Sequence, residues 1–146
     1  MRTGARRGWL AVPLAALAVA SLAGCGDLSR DELTRGVESL SANAAQGGLI
    51  AGAVADDGTK ATYARVMSRT LGEQAEHEAE KLADAEPAPG VVAERDAAVR
   101  IASRLADLYS VLQVFPGDEE HGAAVQRRMH DLGEEAEALA ERLGGG

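Results

Sequence analysis

Residues 118–146 read DEEHGAAVQRRMHDLGEEAEALAERLGGG, and this stretch decides the fold. Val125, Met129, Leu132, Ala136, Leu139 and Leu143 recur at alternating spacings of four and three. That period places all six on one face of an α-helix and leaves the charged residues between them on the other. Asp118, Glu119 and Glu120 stand at the start, where the helix dipole favours acids. Gly144-Gly145-Gly146 stops the pattern.

The same period continues towards the N-terminus. Pro116-Gly117 ends a third segment carrying Val91, Ala98, Ile101, Ala102, Leu105, Leu108, Tyr109 and Leu112. Pro87-Ala88-Pro89-Gly90 separates that segment from a second, because proline cannot continue a helix and restricts the residue before it. The second segment is expected to be capped by Thr59 or Thr62. Its inner positions are read as Tyr63, Val66, Met67, Thr70, Leu71, Gln74, Glu78 and Leu82. Asp56-Asp57-Gly58 ends a first segment, which opens on Ser29 and Glu32, a capping-box spacing. Leu33, Val37, Leu40 and Ala44 follow at helical intervals.

No run of β-branched residues alternates at period two, so no strand is expected. Four segments of roughly 25 residues, each roughly 35–40 Å long as a helix, are joined by short connections. They predict an all-α fold, an antiparallel up-down-up-down four-helix bundle over residues 30–146. Gly47-Gly48 interrupts the first segment, at about 1 kcal/mol per glycine relative to alanine. It is either a kink or a close crossing where only glycine fits, or it frames an apolar patch, Leu49 and Ile50, that meets a partner or the lipid surface.

The N-terminus has a different character. Arg2, Arg6 and Arg7 precede an apolar run from Leu10 to Ala20, and Leu22-Ala23-Gly24-Cys25 follows. A basic start, a short apolar stretch and small residues before a cut site describe a secretory signal. The run is too short for a permanent span, which needs roughly 20 apolar residues. Leu22 to Cys25 resembles the lipobox of bacterial lipoproteins. The resemblance implies a diacylglyceryl group on the thiol of Cys25 and cleavage just before it. Residues 1–24 are then a signal peptide, and residues 25–29 the lipidated cysteine with a short tether. Arg6-Arg7-Gly8-Trp9-Leu10 also resembles a twin-arginine export signal, a route that carries folded proteins. The arginines serve equally as the positive start of any export signal, so both routes stand.

The chain has net charge −8, and removing Arg2, Arg6 and Arg7 leaves −11. Such a surface argues against nucleic-acid binding and against electrostatic attachment to an anionic membrane. Attachment falls to the lipid on Cys25, which places the domain on the extracytoplasmic side of the cell membrane. Cys25 is the sole cysteine, so no intramolecular disulfide forms. Only Tyr63, Tyr109 and Phe115 are aromatic after Cys25, so the core is expected to rest on Leu, Val and Ala.

No catalytic constellation is legible. There is no glycine-flanked serine elbow and no phosphate loop after a strand. Di-metal bundles need Glu-x-x-His on two helices, and the nearest match is Asp118-x-x-His121. The sequence therefore predicts a non-enzymatic interaction module with no cofactor, held at the membrane and binding an envelope protein partner through a helical face. The alternative is a metal- or small-ligand-binding protein. Glu73, Glu76, His77 and Glu80 lie on one flank of the second segment, where carboxylates and an imidazole suit a divalent cation. The competing reading of those four is a solvated charged face. Gln74 and Glu78 lie nearer the core line, as a polar edge expected to meet Arg100 or Arg104.

Overall fold

The chain enters its first helix through the expected capping box. The Ser29 side chain accepts from the Glu32 backbone N–H, and the Glu32 carboxylate accepts from the Ser29 N–H at 3.0 Å. These bonds satisfy donors that a helix start otherwise leaves unpaired. The computed structural model describes residues 27–145, so the signal run and Cys25 lie outside the described residues. Four helices follow: α1 (Arg30–Ala55), α2 (Ala61–Asp84), α3 (Val92–Val114) and α4 (Glu119–Gly144). They form the antiparallel bundle that the periodicity predicts. No described helix is long and apolar enough to cross a membrane.

α1 lies most extensively along α4, and α2 along α3. Thinner α1–α2 and α3–α4 seams close the ring, and α1 also reaches α3 across the diagonal. The stripes read in α3 and α4 are buried residue for residue, as are Leu33, Val37, Leu40 and Ala44 of α1.

α2 departs from its reading. Tyr63 and Val66 are each 56% exposed, and the buried face is Ala64, Ser68, Leu71, Gly72, Ala75 and Leu82. Small residues won this face because they let α2 approach α3 closely, and small residues carry little hydropathy signal. The start of α2 also differs: Lys60 is the N-cap, with no side-chain cap bond from Thr59 or Thr62.

The approach of the helices is set by Tyr109, the largest fully buried side chain. Its Oη donates to the backbone carbonyl of Asn43 on α1 at 2.7 Å. A Cβ on Gly47 would fall 2.5 Å from that Oη, and a Cβ on Gly72 would fall 3.1 Å from the Tyr109 Cβ. The two glycines are the socket for the ring. Gly47-Gly48 therefore does not break α1, which runs unbroken for 26 residues. It is the close crossing.

Burial pushes the Tyr109 phenol well above its ordinary range. A group whose folded pKa is raised contributes stability that is present below its unfolded pKa, about 10, and lost as pH rises. Between pH 10 and 12 the protein should lose stability with a slope approaching about 1.4 kcal/mol per pH unit from this group. Tyr109→Phe should lack that component, at a cost of about 1 kcal/mol at neutral pH for the lost hydrogen bond. Urea unfolding midpoints at pH 9, 10 and 11 compare the two, and parallel pH profiles would refute the assignment.

Candidate functional site

The end of the bundle nearest Cys25 is fixed by backbone hydrogen bonds. Leu28 N–H donates to Glu86 O at 2.6 Å, and Ala88 N–H donates to Leu28 O at 3.1 Å. Leu28 also packs against the core. From Leu28 onward the chain is pinned to the α2–α3 connection. Only Gly26 and Asp27 separate Cys25 from that fixed point, a reach of roughly 10 Å at about 3.5 Å per residue. The α4 C-terminus shares this end, where Arg30 Nη1 donates to Leu143 O at 3.3 Å.

Leu49 and Ile50 part company. Leu49 is 77% exposed, whereas Ile50 is buried in the core with Ala51 and Val54. Neighbouring residues on a helix point about 100° apart, so both could not share a surface patch, and the expected pair reduces to Leu49. Leu49 borders a groove of about 540 Å³ between α1 and α4. Ala44, Ala45, Gly48, Met129 and Gly133 line it, and Arg127, His130, Glu134 and Glu137 form its polar margin. The small residues at the two helix faces leave this space.

The flank of α2 does not gather as a metal site. Glu73, Glu76, His77 and Glu80 are all exposed, and Glu73 pairs with Arg69 at 3.3 Å in solvent. Among the described residues, no three His, Cys, Asp or Glu side chains come together so as to hold a metal ion. Glu73 and Glu80 stand about 10 Å apart along the helix at 1.5 Å per residue, which counts against all four sharing one coordination sphere. Asp118 and His121 are likewise accounted for locally. Asp118 caps α4 by accepting from the His121 N–H at 2.8 Å, and its Oδ1 lies 2.8 Å from His121 Nδ1. These contacts hold its carboxyl below the usual range. The His121 ring stacks on Phe115 at 4.1 Å.

His77 turns instead towards a second cavity, a cleft of about 300 Å³ between α1 and α2. Ser39, Asn43 and Gln46 line it from α1, and Gln74, His77 and Glu78 from α2. Glu78 does not meet Arg100 or Arg104, as the sequence suggested. Both its oxygens take Lys81 Nζ, at 3.2 and 3.3 Å, while Arg104 pairs with Glu135 at 2.8 Å. Asn43 is 8% exposed, and its Nδ2 donates to Leu71 O at 3.3 Å. Its Oδ1 is buried without a partner among the described residues.

The α1 side of this cleft escaped the sequence reading. Its signal was present: Ser39, Asn43 and Gln46 recur at spacings of four and three beside Leu40 and Ala44, a polar line next to an apolar one. No protein-family model, no curated protein and no solved structure matches this chain.

Proposed function

We propose that the protein is a lipid-anchored, extracytoplasmic helical bundle that acts as a non-enzymatic binding module of the cell envelope. The observation that carries this reading is the order of the N-terminal features. A basic start, an apolar run and Leu22-Ala23-Gly24-Cys25 end three positions before the residue at which the bundle is pinned. A lipid on Cys25 holds the α2–α3 connection and the α4 C-terminus against the membrane surface. The long seams of α1 then rise away from the bilayer, with Leu49 and its groove open to an envelope protein partner. The strongly negative domain is repelled by an anionic lipid surface, which supports a posture in which the lipid alone makes the attachment.

The side of the membrane is tested by the lysines. Lys60 and Lys81 are the only two in the chain, and both are exposed. A membrane-impermeant amine reagent applied to intact spheroplasts should modify both lysines to nearly the extent reached after lysis. Protection of both until lysis would overturn the extracytoplasmic placement.

A further inference from the structure

The two ends of the bundle differ in charge. Asp56, Asp57 and Lys60 stand in the α1–α2 connection, and Asp118, Glu119 and Glu120 where the chain enters α4. Both lie at the end away from Cys25. At the other end, the α2–α3 connection and the first residues of α3 carry no charge from Pro87 to Ala93, with Glu86 and Glu94 as its brackets. Ala88-Pro89-Gly90-Val91 forms a tight turn there, closed by Val91 N–H donating to Ala88 O at 3.2 Å. Proline suits the second position of such a turn, and Gly90 supplies the positive φ, 90°, at the third. Val91 is buried and pegs the turn to the core, while Pro89, Gly90, Val92 and Ala93 are exposed. A Cβ on Gly90 would meet nothing within 4 Å, so the turn projects into open space.

The chain that leads to Cys25 leaves beside this turn. Leu28 is bonded to Glu86 and to Ala88, the residue before Pro89. From Leu28 back to Cys25 the reach is roughly 10 Å. A diacylglyceryl group puts Cys25 at the edge of the hydrocarbon, and the headgroup layer above that edge is roughly 5–7 Å thick. A reach so close to the thickness of the layer leaves the turn little room to stand clear of lipid. The acidic surface elsewhere is repelled by anionic lipid. An uncharged turn is not, and the exposed side chains of Pro89 and Val92 gain by leaving water.

We propose that the Pro89–Val92 turn seats in the lipid headgroup layer beside Cys25 and sets the posture of the bundle on the membrane. The inference rests on the lipid at Cys25, which supplies the attachment. One proline and one valine are too small to hold a protein on a bilayer, where even a single myristoyl chain is marginal. Their part is orientation. The turn is tied by Leu28 and pegged by Val91, so seating it fixes the tilt of the helices. Leu49 and its groove, about 28 Å along α1 from Arg30 at 1.5 Å per residue, then stand at a set height above the lipid.

The experiment uses tryptophan as a reporter. Trp9 is the only one in the chain and stands ahead of Cys25, so a tryptophan placed in the bundle is alone in the mature protein. Val92→Trp and Val114→Trp put it at exposed positions on opposite ends of α3, about 33 Å apart. Each lipoprotein is weighed intact, then reconstituted in phosphatidylcholine vesicles whose acyl chains are plain or brominated near the headgroup, since bromine quenches only near contact. Emission of Val92→Trp should fall at least twofold in the brominated vesicles, and that of Val114→Trp should not change. Adding Pro89→Glu to Val92→Trp, which puts a charge on the turn, should restore most of the emission with helicity unchanged. With lipid on Cys25 in the mass, three results overturn the seating and leave the anchor standing: no quenching at residue 92, equal quenching at both ends, or quenching indifferent to Pro89→Glu. A mass without lipid overturns the anchor, and the seating with it.

Discussion

Cys25→Ser, placed behind a signal peptide that is cut without prior lipidation, should leave the mature-length protein almost completely out of the membrane fraction, from nearly all in the pellet to nearly none. The thiol is the group that accepts the lipid in the lipoprotein pattern that Leu22-Ala23-Gly24-Cys25 resembles, and serine offers no equivalent nucleophile. Nothing else in the described molecule supplies an attachment of similar strength. No described helix is long and apolar enough to cross a bilayer, and the domain after Gly24 is too acidic for a polybasic contact. Each buried methylene of an acyl chain is worth about 0.8 kcal/mol, so two chains anchor stably where one is marginal. Because electrostatics plays no part, a high-salt wash should leave the parent protein in the pellet. A Cys25→Ser chain of mature length that still sediments with membranes after that wash would contradict the anchor.

The largest stability loss is expected at Gly122. This residue sits in the first turns of α4 where it crosses the end of α1. A Cβ there would fall 2.7 Å from Ala55 N and 2.9 Å from Ala51 O. Both are backbone atoms of a helix and cannot rotate aside, so α4 must lift away from α1 and loosen the most extensive seam in the bundle. Overpacking of this kind costs about 1–3 kcal/mol, and the branched side chain of valine adds the Val54 methyl, 2.9 Å from the Cβ position, to the conflict. Gly122→Val should therefore destabilise by about 3 kcal/mol, a large share of the 5–15 kcal/mol typical of a domain. Gly133→Val, in the same helix, is the control. There the nearest atom, Ala44 Cβ, would lie at 3.7 Å, an ordinary contact, and the change should stay within about 0.5 kcal/mol. Thermal or urea unfolding of the two variants decides the matter, and equal losses would refute the crossing argument.

The contrast between these glycines shows what kind of information the sequence carries plainly. The faces of α3 and α4 were readable because Leu, Ile, Val and Met stand at their inner positions and charged residues elsewhere. The face of α2 was not, because Ala64, Ser68, Gly72 and Ala75 bury themselves by being small, while Tyr63 and Val66 attract attention and stay in solvent. Leu71 and Leu82, three turns apart, were the reliable marks of that face. Local signals were uneven. The Ser29 and Glu32 side chains form the capping box their spacing announces, whereas neither Thr59 nor Thr62 caps α2.

Partner surfaces depend on what two helices do together, and single-helix periodicity describes one helix at a time. Leu49 and Ile50 looked like a pair in the chain, yet α1 turns Ile50 into the core. Glu73, Glu76, His77 and Glu80 looked like a ligand set, yet all four stand in solvent without gathering, and Glu73 is taken by Arg69. His77 finds company only across the seam, with Asn43 and Gln46 of α1. The orphaned oxygen of Asn43 is a property of the assembled seam and has no counterpart in the sequence.

The central claim is that this bundle is a lipid-bearing envelope protein, and the mass of the intact chain tests it most directly. The protein extracted from its own membrane in mild detergent should give a mass beginning at Cys25 plus a diacylglyceryl increment located on that residue. A chain of full length, or one cut elsewhere and free of lipid, would contradict the account.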